Sequence, residues 1–279
     1  MDLHHLIAAV DDSDAGREAV HTALDLARRC GARVTIMRTV PLAAERMVVG
    51  TPRPKCSASA GTELEVERLW RWIAADLPPL DDRPPLDVVI TRGIPGVEIC
   101  RLAEDSRAGL LILGRKQRTP MARMLLGDTA DAVARRSRVP CLFVPPGAQP
   151  ILRVLAALDG TERGRRVLDS ARLFAAGIGA KLQAVTVEAV ATGEPEALAR
   201  QLPRERSLQL RQEVRRAGSE LDIRRGAIVP EILAAVDDTE ADALVLGYHR
   251  GGPAGVIEAG STARRLAHLA RCAVLTIPL

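Results

Sequence analysis

The chain of 279 residues contains two copies of one sequence unit. The segment at 6–40 reads LIAAVDDSDAGREAVHTALDLARRCGARVTIMRTV and returns at 154–187 as VLAALDGTERGRRVLDSARLFAAGIGAKLQAVTV. A second pair of matching segments lies at 90–145 and 223–278. Each copy is long enough to bury its own core, so the duplication predicts two domains of the same fold in tandem.

The spacing between equivalent residues locates the main difference between the copies. Asp11 of the first copy returns as Asp159, and Gly114 returns as Gly247. The number of residues from Gly114 to Gly247 is smaller than the number from Asp11 to Asp159. The first copy therefore carries an insertion between these points, about 15 residues long by this difference. We place it near 48–63, where Ser, Thr, Gly and Pro are abundant, and this composition predicts a surface loop.

Short apolar runs alternate with helical patterns in each copy. Strands are predicted near 5–10, 33–39, 87–91, 109–114 and 141–145, and in the second copy near 153–158, 181–187, 220–225, 243–248 and 273–278. Helices are predicted near 14–30, 62–77, 96–106, 127–137, 162–177, 194–217, 229–238 and 260–270. Continuous Val, Ile and Leu runs are typical of parallel strands buried on both faces. The sequence thus predicts an α/β protein of two doubly wound domains, 1–146 and 151–279, separated by PPGAQP at 145–150.

The composition excludes several classes of function. There are 39 basic and 35 acidic residues, and aromatic residues are 2% of the chain, whereas single-stranded nucleic acids are bound on aromatic platforms. We interpret the basic run at 204–216 as a solvated helix face and the opening His4 and His5 as a solvated start. Five scattered cysteines without a C-x-x-C pair predict no metal ribbon, and no apolar run is long enough to predict a membrane span. A cytoplasmic protein without nucleic-acid partners is expected.

Candidate binding residues follow the strands at the edge where open parallel sheets bind ligands. In the second copy they are Asp159 after strand one, Gly247, His249 and Arg250 after strand four, and Gly260, Ser261 and Thr262 at the start of the last helix. In the first copy the weaker equivalents are Asp11, Gly114, Gly127 and Thr129. Glycine admits close approach of a ligand, and the amides and dipole of a helix N-terminus attract a phosphate. The alternative is structural, since Ser, Thr and Asp are also ordinary N-cap residues.

These segments resemble the universal stress protein family, whose nucleotide-binding members carry Gly-x2-Gly-x9-Gly-Ser/Thr after strand four and an Asp after strand one. The resemblance covers 5–145 and 153–279. It implies the strand order 3-2-1-4-5 and pairing of the domains through their fifth strands, here 141–145 and 273–278. It also implies an adenine nucleotide as ligand, namely ATP with Mg²⁺ as its accompanying ion, and a base near Val187, or Val40 in the first copy. Homodimers are a further expectation.

Both copies depart from the family motif. The first has Gln117 at the second glycine and Asp128 after Gly127, and an aspartate there would repel phosphate, although Arg115 and Lys116 offer compensation. The second has Arg250 at the second glycine, a residue that supplies a guanidinium suited to phosphate, and it keeps Gly260 and Ser261. The sequence therefore predicts that the second copy binds ATP and that the first site is degenerate.

No catalytic motif stands out, so the prediction is a stress-response protein that binds ATP as a signalling ligand and hydrolyses it slowly at most. Two alternatives stay open at this point. One is a structural or adaptor protein, or a binder of another small anion or metabolite. The other is a hydrolase or transferase of the adenine-nucleotide α-hydrolase type.

Overall fold

The computed structural model describes residues 1–40, 60–74, 77–79, 82–115, 128–189, 204–248 and 261–279. The first domain consists of β1 (His5–Ala9), α1 (Asp14–Cys30), β2 (Arg33–Val40), α2 (Ala60–Ala74), β3 (Leu86–Arg92), α3 (Pro95–Asp105), β4 (Leu110–Gly114), α4 (Asp128–Arg136) and β5 (Cys141–Val144). The second domain consists of β6 (Arg153–Leu158), α5 (Glu162–Gly177), β7 (Lys181–Ala189), α6 (Arg204–Arg216), β8 (Leu221–Gly226), α7 (Ile228–Asp238), β9 (Ala243–Tyr248), α8 (Ser261–Leu269) and β10 (Ala273–Pro278). The insertion that we place near 48–63 lies mostly outside the described residues.

The ten strands form one sheet in the order β3-β2-β1-β4-β5-β10-β9-β6-β7-β8. Within each domain the strands are parallel, and each half has the predicted order 3-2-1-4-5. The halves join where β5 and β10 pair antiparallel, with Phe143 opposite Val274. The predicted fold class and the pairing of the fifth strands are confirmed. The junction removes two exposed strand edges by pairing them with each other.

Helix ends follow from local side-chain chemistry. Ser13 precedes α1, and its hydroxyl accepts a hydrogen bond from the Gly16 amide, which is otherwise without an intrahelical partner. Thr161 does the same for the Gly164 amide at the start of α5, with a distance of 3.3 Å. At its other end α1 stops at Gly31, whose φ of 69° lies in the left-handed region that glycine adopts without strain. No helix in the described part of the chain is long and apolar enough to cross a membrane.

Two apolar layers, one on each face of the sheet, hold the molecule together. One layer packs α1, α2, α5 and α6 against the sheet, and its strand residues include Leu6, Leu142 and Leu275. The other packs α3, α4, α7 and α8 and includes Phe143 and Val274. Each layer contains residues of both domains. The two domains therefore share their cores as well as their sheet.

The expectation of a solvated chain start is wrong for His5. This residue belongs to β1 and is only 6% exposed. Its Nε2 lies 2.8 Å from Thr35 Oγ1, and its Nδ1 lies 3.4 Å from the Ser106 carbonyl oxygen and 3.3 Å from Arg33 Nη2. Burial lowers the pKa of His5 from 6.5, and the neighbouring Arg33 cation lowers it further, which outweighs the raising effects of the Ser106 carbonyl and Asp87.

The depressed pKa of His5 predicts loss of stability in mild acid. As the pH falls below 6.5 the unfolded chain takes up the proton first, so stability decreases from there down through the lower pKa of the folded state. Each tenfold difference in proton affinity corresponds to about 1.4 kcal/mol. We expect His5→Gln to reduce the decrease in urea-unfolding free energy between pH ~7.5 and ~5.5. Part of the decrease should remain, because burial also lowers the pKa of His268. Equal pH dependence in the variant and the wild type would contradict the role of His5.

Candidate functional site

The carboxyl edge of the second domain has the geometry of a switch point. β6 lies between β7 and β9, and β9 in turn pairs with β10, so the chain is wound in opposite directions on the two sides of the β6/β9 pair. In open parallel sheets the crevice for ligands opens at such a point. α8 begins at the same edge, because it returns the chain to the start of β10, which is parallel to β9. The first domain has the equivalent edge at β1 and β4.

Asp159 closes a tight turn at this edge. Its Oδ1 accepts hydrogen bonds from the amide of Thr161 at 2.9 Å and from the Thr161 hydroxyl at 2.7 Å. The residue is exposed, and the second oxygen of its carboxylate has no hydrogen bond to any described residue. In the first domain Asp11 accepts the corresponding bonds from the amide and hydroxyl of Ser13. Both aspartates thus have a structural role in the turn that follows the first strand of their domain.

Arg206, near the start of α6, contacts the Asp159–Thr161 turn. The sequence did not point to this residue as part of the site. Its Nε donates a hydrogen bond to the carbonyl oxygen of Gly160, and its Nη1 lies 3.2 Å from Gln209 Oε1. The basic run at 204–216 was interpreted as a solvated face. The missed signal is positional: a helix that follows a parallel strand begins at the carboxyl edge, so the first-turn residues of α6 lie there.

The two glycines after strand four are explained by packing within the protein. A Cβ at Gly114 would overlap the backbone carbonyl of Ala15 in α1. A Cβ at Gly247 would meet Leu279 Cδ1 and lie 3.0 Å from Val167 Cγ2. Neither glycine has a positive φ. The sequence analysis attributed these glycines to close approach of a ligand, but at both positions the space is filled by the chain itself.

The two valines proposed to lie near the base do not occupy equivalent positions. The strand registers pair His5 with Arg33 and Arg153 with Lys181, so the offset between the copies is the same in the second strand as in the first. Val187 is therefore equivalent to Thr39, and Val40 to Glu188. Val187 is 9% exposed and packs in the layer that contains α7 and α8, whereas Val40 ends β2 and is partly exposed.

The remaining candidates lie at helix starts or outside the described residues. Thr262 and Thr129 are in the first turns of α8 and α4, and both are partly exposed. Ser261 begins α8. The candidates His249, Arg250, Gly260 and Gly127 lie outside the described residues. Within the described ranges no group of three His, Cys, Asp or Glu residues is placed to hold a metal ion.

The charges at the two edges differ. Residues 11–17 carry three acids and one base, whereas 159–165 carry two acids and two bases. In the first domain both carboxylate oxygens of Asp12 accept hydrogen bonds from the Arg38 guanidinium, each at 2.7 Å. The residue equivalent to Asp12 in the second domain is Gly160, which has no charge. Near the second site Arg165 pairs with Glu213 at 2.5 Å, and this partner raises its pKa. The second edge is the less negative of the two, and Arg206 adds a further cation to it.

Arg115, suggested as compensation at the first site, points elsewhere. Its guanidinium is buried under the end of α8 in the second domain, where it donates to the carbonyl oxygens of Ala267, Ala270 and Cys272. It is only 8% exposed, and burial lowers its pKa. The first site therefore lacks this cation.

The fold and its two switch points define a tandem doubly wound α/β protein. Matches to the universal stress protein family cover residues 3–145 and 150–278, and the chain belongs to that family. A universal stress protein from Archaeoglobus fulgidus DSM 4304 has a similar structure, with a TM-score of 0.69, 17% identity and coverage of 100% of this chain and 99% of that one. PA1789 from Pseudomonas aeruginosa PAO1, a functionally unknown protein, gives a TM-score of 0.67 at 15% identity, over 99% of this chain and 92% of that one. At these identities the structures show the fold alone.

Among curated proteins, the stress response protein NhaX of Bacillus subtilis (strain 168) is 23% identical over 159 residues. The alignment covers 50% of this chain and 96% of NhaX, so one domain of this chain corresponds to the relative's length. The predicted family membership and its tandem form are confirmed.

Proposed function

We infer that the second domain binds ATP at the carboxyl edge between β6 and β9 and that the protein uses this nucleotide as a signalling ligand in a stress response. The inference is supported most by the Arg206 guanidinium on the Asp159–Thr161 turn, which lies at a switch point and at the same edge of the sheet as the start of α8, with Ser261 and Thr262. A cation and free helix amides favour a polyphosphate. The exposed carboxylate of Asp159 suits a ribose hydroxyl.

Roles for the individual residues follow from their positions. Thr262 and the backbone of Ser261 at the start of α8, with Gly260, would receive the phosphates, and Arg250, His249 and Arg206 would add positive charge. Val187 would contact the base from the β7 side. Mg²⁺ would be carried by the nucleotide.

The first domain is assigned a structural role. Its edge carries more acidic residues, Asp12 is paired with Arg38, and Arg115 faces the second domain. We therefore propose one ATP per chain, bound by the second domain.

Two matched pairs of variants test this assignment by calorimetric titration with Mg·ATP. Asp159→Ala and Asp11→Ala each remove the same turn-closing carboxylate, so they should cost similar stability. Only Asp159→Ala should weaken ATP binding, by about tenfold, the effect of one charge-assisted hydrogen bond. Arg206→Gln should weaken ATP by a similar factor, whereas Arg211→Gln, an exposed arginine of the same helix, should not. A wild-type protein that takes up no ATP at millimolar concentration, or a loss confined to Asp11→Ala, would overturn the proposal.

A further inference from the structure

The ends of α4 and α8, and the turns that follow them, have different hydrogen-bond partners. The last carbonyl groups of any helix lack intrahelical donors and need another partner when they are buried. In the first domain Ser137 follows α4, and its hydroxyl donates to the Val139 carbonyl oxygen at 2.6 Å while it accepts from the Val139 amide at 3.0 Å. In the second domain the equivalent position, at the same offset that relates Gly114 to Gly247, is Ala270, which has no polar side chain.

Arg115 of the first domain supplies the missing donors. Its Nη1 donates to Ala267 and its Nη2 to Ala270 at 2.6 Å, with Cys272 at 3.5 Å. No carboxylate pairs with Arg115 in the described part of the chain, so its charge is balanced by the negative end of the α8 dipole. We call this set of bonds the Arg115 cap.

The second copy has no arginine equivalent to Arg115. The residue equivalent to Arg115 in the second copy is Tyr248, which directly follows Gly247 and is 7% exposed within an apolar layer. In the turn after α4 the carbonyl of Val139, the residue equivalent to Cys272, accepts from Ser137 of its own domain. In the turn after α8 the Cys272 carbonyl accepts from Arg115 of the other domain, because Ala270 has no hydroxyl group.

We propose that Arg115 is a positioning residue for the second domain's ligand site, through which the first domain holds α8 in place. The consequence for ligand binding rests on the proposed function, because the start of α8, Ser261 and Thr262, is the phosphate-binding end there. α8 has only nine residues, so a fixed C-terminus also fixes the direction of its N-terminal amides. Arg115, which belongs to the altered family motif of the first copy, thereby contributes to the site of the second copy.

The test compares Arg115→Met, which keeps much of the stem and removes the donors, with Arg115→Met/Ala270→Ser. Hydrogen exchange of the α8 amides and calorimetric ATP affinity are measured on the full chain. Arg115→Met should speed exchange about tenfold and weaken ATP several-fold. The added hydroxyl in the double variant should give the Cys272 carbonyl a donor, as Ser137 does for Val139 in the turn after α4, and so restore part of both. Arg138→Met, an exposed arginine of the first domain, should change neither.

Four results decide the proposal. Unchanged α8 exchange in Arg115→Met overturns it, whatever happens to ATP. Faster exchange with unchanged affinity, in a protein whose wild type binds ATP, overturns the positioning role. If the wild type binds no ATP, the proposed function fails. Hydrogen exchange of the α8 amides in Arg115→Met, and its reversal by Ala270→Ser, still tests whether the Arg115 cap holds α8. If Arg115→Met does not fold, Arg115→Lys keeps the charge but loses the two-pronged donor, and intermediate exchange that Ala270→Ser restores supports the proposal.

Discussion

Gly114→Ala is expected to lower the free energy of unfolding of the whole chain by about 3 kcal/mol or more. The added Cβ would overlap the backbone carbonyl of Ala15 in the first turn of α1. A backbone group cannot rotate away as a side chain can, so β4 and α1 must separate. Urea unfolding followed by circular dichroism measures the loss.

Gly247→Ala is the matched control, because it occupies the same position in the second copy. Its Cβ would meet the end of the Leu279 side chain and a methyl group of Val167. Leu279 can adopt another rotamer, so we expect a cost of about 1 kcal/mol or less. Equal losses from the two variants would show that the contact with Ala15 does not determine the requirement for glycine at position 114.

The strand order and the domain pairing could be predicted because they depend on features that a sequence displays directly. Apolar runs such as 109–114 are nearly continuous, which only strands buried on both faces require. The repetition of the runs in the same order then identified two equivalent domains. The junction between β5 and β10 followed from the family resemblance and from the need to cover strand edges.

The role of Arg115 could not be predicted from its own copy. A basic residue directly after the glycine of a phosphate motif has the expected chemistry of an anion ligand. Its actual partners belong to the other copy and meet it only after the domains have joined. A comparison of the copies holds the signal, since Ala270 lacks the hydroxyl with which Ser137 bonds the turn after α4 in the first domain.

His5 and the strand-four glycines show a second limit. His5 falls within a predicted strand, and its burial depends on Thr35 of the neighbouring strand, which accepts or donates a hydrogen bond at 2.8 Å. Gly114 and Gly247 fit a ligand motif, but the atoms that exclude a side chain there belong to α1, α5 and the last residue. In each case the deciding partner is distant in the sequence, so the residue type alone left two interpretations.

Phe143→Ala is expected to lower the free energy of unfolding by about 3–5 kcal/mol and to uncouple the two domains. Phe143 is fully buried in β5, and its cross-strand neighbour Val274 belongs to the other domain. Its ring lies in an apolar layer that both domains share, so the cavity left by alanine weakens the junction directly. Trp70 and Trp72, the two tryptophans of the chain, both lie in α2, so their fluorescence reports unfolding of the first domain. Hydrogen exchange of β9 and β10 reports the second.

Phe174→Ala supplies the control. Phe174 is equally buried, but it lies in helix α5 of the second domain and not in either strand of the β5/β10 pair. Since it removes the same ring, its stability cost should be similar, yet the two reporters should continue to change together, as they should in the wild type. In Phe143→Ala the transitions should separate, because Phe143 lies in the strand pair that joins the halves, opposite Val274. Separate transitions already present in the wild type would contradict this coupling, since the shared sheet and layers would then not make the two domains unfold as one unit.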